Sequence, residues 1–278
     1  MSRTIARSLC GVVDFATSWM KPYRRTNTRS LVSEGLSQTI SVDSPGGPLH
    51  FYGSSARSLH DPLALLTGEP ETIAWIDGLQ PGETLWDIGA NVGTYAVYAA
   101  KVQSLRVLAF EPSASTYAVL VRNVELNGLD ASLDAYCIAF DARTRLDRLH
   151  MAHTEAGHSM HAFGQAQTVE GTLDAVFRQS VPGFSIDDFM RIFDPPPPDH
   201  IKLDVDSIEE SILHGAADTL KRHVRSVLVE IADAAPPESG GGAAPGAGIR
   251  RALADRGFAE VKDFCATARR NVLFRRSG

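Results

Sequence analysis

Apolar positions along this chain change their period several times, and each change marks an element. Near the start, Leu9, Val12, Val13, Phe15, Ala16 and Trp19 recur at roughly helical spacing among basic residues, which predicts an amphipathic helix. Thr39–Val42 and Leu49–Tyr52 then flank Asp43-Ser44-Pro45-Gly46-Gly47, the pattern of a hairpin with proline and glycine in its turn. Asp61–Leu66 and Pro70–Leu79 read as helices, with Pro70 at a first helical position. Pro81-Gly82 turns the chain into a strand at Thr84–Ile88.

From there strands and helices alternate. Gly93–Val102 is helical, Arg106–Phe110 is an apolar strand, and Ser113–Asn127 is a helix closed by Gly128. Leu133–Phe140 and His200–Val205 are further strands, and a helix runs from Ile208 to Arg222. Ser226–Ile231 is almost wholly apolar, as a parallel strand covered on both faces should be. Ile249–Arg256 is a helix ended by Gly257, and Phe258–Phe264 and Asn271–Phe274 form an antiparallel hairpin. The order predicts an α/β fold: a doubly wound, mostly parallel, seven-stranded sheet ending in an antiparallel hairpin.

This divides the chain into a helix-and-hairpin extension over residues 1–66 and a main domain over 67–278. Within the latter, residues 141–199 interrupt the alternation with extra strand-like and helical pieces and end in Pro195-Pro196-Pro197-Pro198, a stiff connector. Residues 235–248, rich in Pro, Gly and Ala, read as a flexible loop. Both segments follow strand carboxyl ends, where open α/β sheets bind ligands, so both are candidates for a substrate lid.

Composition narrows the class of function. The 278 residues suit one large α/β domain with additions, and 44% hydrophobic with 22% charged content is that of an ordinary globular protein. A net charge of −6 gives nucleic-acid binding no electrostatic support. Cys10, Cys137 and Cys265 are far apart, which argues against a disulfide framework or zinc site and fits a cytoplasmic location. No apolar run approaches the ~20 residues that span a bilayer. The N-terminal 30 residues carry Arg3, Arg7, Lys21, Arg24, Arg25 and Arg29 against Asp14. A transit peptide or a membrane-surface helix has this composition. The preferred reading is a helix that packs on the domain, on a second copy or on a partner.

The most informative stretch is Leu85-Trp86-Asp87-Ile88-Gly89-Ala90-Asn91-Val92-Gly93-Thr94-Tyr95: strand, glycine turn, helix start. Gly89 and Gly93 give a backbone room to approach a ligand, and the helix aims free N–H groups at the same space. Asp87 would repel a phosphate there and suits an ammonium group, so S-adenosylmethionine is the ligand the turn favours. Glu111, about 20 residues on, is placed to accept ribose hydroxyls, with Pro112 beside it. NAD sites place Gly-x-Gly-x-x-Gly here, whereas this chain has Asn91 at the second glycine position. Asp141, after Ile138-Ala139-Phe140, is a candidate for the adenine amino group, with Phe140 against the ring; a turn aspartate is the alternative.

Chemistry is expected at Ile201-Lys202-Leu203-Asp204-Val205-Asp206. A strand's period of two places Lys202, Asp204 and Asp206 on one side, facing the methyl donor. Asp204 is the candidate to orient an acceptor hydroxyl or take its proton. For Lys202 a buried ion pair that fixes the strand end is preferred over a direct role. No metal ligand is assigned, although Asp204 and Asp206 with Glu209, Glu230 or Asp233 form an alternative cation set. His200 and His214 read as structural.

Several of these motifs together resemble the FkbM-type methyltransferases: Trp86 to Gly93 with Ala99-Ala100-Lys101, Ala109-Phe110-Glu111-Pro112, Arg122-Asn123 with Leu126-Asn127-Gly128, Ser185-Ile186-Asp187-Asp188, Ile201 to Asp206 with Glu209, Ile212-Leu213-His214-Gly215, and Val229-Glu230-Ile231. The resemblance runs from about Thr67 to Glu230. It implies a Rossmann-like class I methyltransferase that uses S-adenosylmethionine, bound by Asp87, Gly89, Asn91, Gly93 and Glu111, to O-methylate sugar or polyketide-type hydroxyls. Ser207 stands where the family usually has glycine, and Ala232 where asparagine or aspartate is common. The expectation is an O-methyltransferase acting on a hydroxyl of a glycan or secondary metabolite, with no nucleic-acid partner and no integral membrane segment. A homodimer or partner contact through the N-terminal helix is compatible. A catalytically silent donor-binding module docked to a partner is the alternative, and an NAD-linked oxidoreductase the third reading.

Overall fold

The computed structural model describes residues 2–168, 171–206, 208–231, 246–262, 264 and 270–277. The chain forms two compact units, Met1–Thr39 and Ile40–Gly278. The first holds two helices, Ser2–Thr17 and Pro22–Leu36, rather than one. Proline at the first position of the second helix sets its start. Asp14 pairs with Arg25 at 3.6 Å and Arg29 at 2.8 Å, while Ile5, Leu9, Val12, Phe15 and Trp19 remain exposed. No helix among the described residues is long and apolar enough to cross a membrane.

The second unit is built on a seven-stranded sheet: β1 (Thr84–Ile88), β2 (Arg106–Phe110), β3 (Leu133–Tyr136), β4 (His200–Leu203), β5 (Ser226–Glu230), β6 (Phe258–Glu260) and β7 (Asn271–Arg276). Their order across the sheet is β6-β7-β5-β4-β1-β2-β3. β3, β2, β1, β4 and β5 pair in parallel, and β7 runs antiparallel to both β5 and β6. The sheet is therefore mixed. β1 and β5 are apolar on both faces because each face is covered. One face packs Leu85, Val107 and Leu228 against Trp75, Val97 and Leu120. The other packs Trp86, Leu108 and Val227 against Phe189, Leu213 and Leu253.

Several elements depart from the sequence reading for local reasons. The strand read over Leu133–Phe140 divides, and Ala139–Phe140 joins a second sheet, pairing in parallel with Phe177–Phe184. That sheet also contains Arg145–Met151 and His161–Phe163, so residues 141–199 carry three strands of a four-stranded sheet and the helix Ile186–Phe193. The helix read from Ile208 to Arg222 is two, Glu209–His214 and Ala217–Arg222. Gly215 separates them, and a Cβ there would sit 2.5 Å from the Asp141 carbonyl. The loop read over residues 235–248 falls largely outside the described residues.

The strand Leu49–Gly53, read as part of an extension, belongs to the main unit, docked on the helix Ala114–Asn127. Asn127 imitates a neighbouring strand: its Oδ1 accepts the His50 N–H at 2.9 Å and its Nδ2 donates to the His50 carbonyl at 2.7 Å. Asn123 Oδ1 accepts the Tyr52 N–H at 2.7 Å, while its Nδ2 donates to the Val92 carbonyl at 2.8 Å. Two helix amides thus satisfy a strand's backbone and brace the turn after β1. In the insertion, Ser185 caps Ile186–Phe193 by accepting the Asp188 N–H, and Asp187 accepts the Asp218 and Thr219 N–H groups at the start of Ala217–Arg222.

Candidate functional site

The turn after β1 runs through the left-handed region three times, at Gly89 (φ +84°), Asn91 (φ +50°) and Gly93 (φ +80°). The N–H groups of Gly89 and Ala90 both donate to the Phe110 carbonyl at 3.0 Å, which folds the turn over the end of β2. The glycines are required by the protein rather than by a ligand's approach. A Cβ on Gly89 would lie 1.8 Å from the Asp204 carbonyl oxygen, and one on Gly93 would lie 2.2 Å from Leu120 Cδ1.

A cavity of about 430 Å³ opens at the carboxyl ends of β1, β2 and β4. This volume is in the range of small-molecule sites. Of the residues read as cofactor contacts, Asp87, Gly89, Asn91, Glu111 and Pro112 line it. Gly93 and Asp141 are not among the lining residues. Gly93 packs the helix Thr94–Val102 on Leu120. Asp141 is engaged within the protein: its Oδ1 accepts the Ser211 hydroxyl and the Ala142 N–H at 2.5 and 2.7 Å, and its Oδ2 pairs with Arg145. Phe140 does line the cavity, between Trp86 and Phe110 in a buried aromatic cluster.

Four groups on the β1 and β2 side define the chemistry. Asp87 is 1% exposed, and its Oδ1 has no partner. Asn91 Oδ1 and Thr94 Oγ1 are likewise buried without a partner. Burial pushes Asp87 up to about 6, against the pull of Lys202. Glu111 accepts the Asn91 N–H at 3.1 Å and the Ser113 N–H at 2.8 Å, and burial nevertheless pushes it up to about 7. Buried acceptors left unpaired at a cavity wall are costly, and a ligand that donates to them removes the cost. Carboxylates on this wall favour a cationic ligand with hydroxyl donors and disfavour phosphate.

The β4 and β5 side is an ionic cluster. β4 ends at Leu203 and Asp206 sits at φ +61°, so strand alternation does not carry Lys202, Asp204 and Asp206 to one side. All three still line the cavity, because the chain turns there. Lys202, 3% exposed, donates to Asp204 Oδ2 at 2.7 Å and lies 5.2 Å from the centre of the Tyr95 ring. Burial opposes the Lys202 charge, yet Asp204, Glu69 and Asp87 together hold its pKa well above the ordinary value. Burial also opposes Asp204, but Lys202 and a hydrogen bond with Glu230 keep that carboxyl below its usual range. Glu230 takes the complementary shift, raised by burial and by Asp204 to about 8. Asp204 and Glu230 therefore share one proton near neutral pH.

In the sequence reading Glu230 is an alternative cation ligand and part of the Val229-Glu230-Ile231 motif, with no role toward the acceptor. Its signal was an acid at the end of an otherwise apolar strand, Val227 to Ile231. Its pairing with Asp204 depends on β4 and β5 being neighbours, in register from His200–Ser226 to Leu203–Val229. Tyr95, Phe110 and Ile138 also line the cavity. From the insertion, Leu149, His161 and Phe163 face the same space, and neither ring nitrogen of His161 has a partner. Asp206 ties this segment down by accepting the Met160 N–H at 2.5 Å. His200 lies at the opposite end of β4, between Ser226 at 2.7 Å and Glu83 at 3.0 Å, and His214 is exposed. Ser207, Ala232 and Asp233 lie outside the described residues.

Residues 87–260, more than half of the chain, match the methyltransferase FkbM domain family. Comparison with curated proteins finds no match. Among solved structures, magnesium protoporphyrin IX methyltransferase from Synechocystis PCC 6803 with bound SAM is 14% identical, over 80% of this chain and 85% of that chain, at a TM-score of 0.45. A protein of the NADB-Rossmann superfamily from Streptococcus agalactiae is 14% identical over 74% of this chain and 68% of that chain, at 0.44. The FkbM methyltransferase from Methylobacillus flagellatus KT is 17% identical over 64% of this chain and 45% of that chain, at 0.38. At such TM-scores the likeness is loose, and the family match stands without it.

Proposed function

The chain belongs to the FkbM methyltransferase family, and from that premise we propose that it transfers a methyl group from S-adenosylmethionine to a hydroxyl of a glycan or secondary metabolite. The fold reading that accompanies this is a doubly wound, Rossmann-like class I methyltransferase acting in the cytoplasm. One observation carries the proposal. A single cavity has unpaired buried acceptors at Asp87, Asn91 and Thr94 on one wall and the proton-sharing pair Asp204–Glu230 on the other.

When bound, the donor supplies a methyl group on a cationic sulfur, so that an acceptor oxygen forms the new O–C bond as the C–S bond breaks. Asp87 would hold the donor's ammonium and Glu111 its ribose hydroxyls. Phe110, Ile138 and Phe140 offer an apolar wall for the adenine. Asp204, kept ionised by Lys202, would orient the acceptor hydroxyl, and the Asp204–Glu230 pair would take its proton. Lys202 acts as a positioning residue. The roles read for Gly93 and Asp141 become structural ones, packing the first helix and anchoring the insertion.

Calorimetric titration with S-adenosylmethionine and with NAD tests the donor, and failure to bind the former removes the proposal. Methyl release from labelled donor across hydroxylated acceptors tests turnover; donor binding with no turnover on any acceptor would favour the silent module. Glu111→Gln should weaken donor binding on the order of tenfold to a hundredfold, the worth of a hydrogen bond to a charged group. Because each Glu111 oxygen accepts a backbone N–H, the amide leaves one of the Asn91 and Ser113 donors unpaired, so the thermal midpoint of the donor-free protein should fall as well and binding is compared below it.

Donor affinity should also depend on pH in a definite direction. Asp87 and Glu111, raised to about 6 and about 7, hold protons in the free protein at mildly acid pH. A donor that pairs with their ionised forms binds more tightly as pH rises through this window, and at pH ~6 it releases protons. The stability contribution of these raised carboxyls runs the other way. It is fully present below the unfolded values near 4 and is lost as pH rises through about 6–7. Titrations in buffers of different ionisation enthalpy measure the release. An affinity flat from acid to neutral pH with no proton release would remove the two carboxylates from the donor site.

A further inference from the structure

The insertion carries a second cluster that the methyl-transfer reading does not use. Between the strands Arg145–Met151 and His161–Phe163, the connecting loop brings His153, Glu155 and His158 together. One ligand atom from each lies within 4.8 Å of the others. The His153 and His158 rings face each other with centroids 4.3 Å apart. His158 lines the cavity, whereas His153 and Glu155 are exposed and are not among its lining residues. We propose that His153, Glu155 and His158 bind one divalent transition-metal ion at the mouth of the cavity.

Two features of the loop support this. Its backbone is clamped at three carbonyls: Thr154 accepts the Ser115 hydroxyl, Ala156 accepts the Ser55 hydroxyl, and Gly157 accepts Arg57 Nε, all at 3.0 Å. Gly157, at φ +87°, lies so close to Ser58 that a Cβ would come within 2.7 Å of its Cα. The clamp keeps one ligand atom of each of the three side chains within 4.8 Å of the others, and none of the three makes a hydrogen bond or ion pair to another described residue. A site whose backbone is held before the metal arrives loses less entropy on binding.

The donor set selects the ion. Two imidazoles and a carboxylate suit zinc and its first-row neighbours, while magnesium and calcium prefer sites made of oxygen alone. Three protein ligands leave at least one coordination position open, the arrangement of a metal that holds a further ligand. Because His158 belongs to the cavity wall, that position serves an oxygen of the acceptor. This second role rests on the methyl-transfer reading, whereas metal binding does not. The site is separate from the Asp204–Asp206 cation set considered from the sequence.

The test uses the full chain without an affinity tag, stripped with chelator, and titrated with zinc chloride by calorimetry and with cobalt(II) by visible absorption. Saturation at about one equivalent is expected. His153→Ala and His158→Ala should each weaken binding more than tenfold, and Glu155→Gln by less. Cys10→Ser, which removes an exposed thiol, should leave it unchanged. Absence of saturable binding, or binding retained in the His153→Ala/His158→Ala double variant, overturns the proposal. Circular dichroism and S-adenosylmethionine titration of the same variants show whether the fold and the donor site are intact. A wild-type protein that binds zinc but no donor would sink the methyl-transfer reading and leave the metal site standing.

Discussion

Asp204→Asn should lower methyl-transfer turnover by about 10²–10⁴-fold, the usual contribution of a positioned acid or base, while S-adenosylmethionine binding changes by only a few-fold. Asparagine keeps the shape of the side chain, so the cavity wall is retained. It removes the charge that pairs with Lys202 at 2.7 Å and the group that shares a proton with Glu230. Lys202 retains Asp87 and Glu69 as charge partners, so a buried cation is not left alone. Turnover on labelled donor and calorimetry on the same sample separate the two effects. Full turnover in Asp204→Asn would exclude Asp204 as orienting group or base.

Glu230→Gln refines this by its pH profile. Glu230 is held near 8 by burial and by Asp204, and the rate should rise with pH as the pair loses its shared proton. In Glu230→Gln the limb near 8 should disappear, because Asp204 alone then titrates. A profile unchanged from the parent would show that the pair does not carry the proton.

Gly89→Ala should destabilise the protein by about 2–5 kcal/mol, measured from denaturant midpoints. Two costs combine. An L-residue at φ +84° pays roughly 1–2 kcal/mol for a left-handed backbone. The new methyl would sit 1.8 Å from the Asp204 carbonyl, so β1 and the end of β4 must separate, an overpacking cost of about 1–3 kcal/mol. Gly82 supplies the control. It has nearly the same φ, +85°, but nothing lies within 4 Å of its absent Cβ. Gly82→Ala should therefore show only the backbone cost. Equal losses at the two positions would show that contact with Asp204 is not what demands glycine at 89. Since the displaced carbonyl belongs to Asp204 itself, Gly89→Ala should also impair turnover in the folded fraction.

This contact shows how far the sequence could be read. The glycine turn was recognisable because glycine is the usual residue at positive φ, and its place between an apolar strand and a helix start is a local pattern. The reason for the glycine was not recognisable. Its neighbour in space is Asp204, more than a hundred residues along the chain, and the order of β1 beside β4 determines their approach. Asn123 and Asn127 repeat the lesson. They stood out as motif residues, but their work is to pair with His50 and Tyr52, a strand that the sequence placed in a separate extension. Asp141 stood at a strand end facing the expected ligand, yet Arg145, Ser211 and Ala142 occupy its carboxylate.

By itself the sequence determined the alternation of strands and helices, the closing hairpin, and the residues Asp87, Asn91, Glu111, Lys202 and Asp204 that come to line one cavity. These are legible because side-chain periodicity, turn residues and acids at strand ends are local properties of the chain. Only the tertiary structure decided where the strand beginning at Leu133 divides, which glycines serve packing, that Glu230 shares a proton with Asp204, and that the insertion delivers two histidines and a glutamate to the cavity mouth. Those outcomes depend on distances between segments far apart in sequence, and such distances are set when the sheet's strands choose their neighbours.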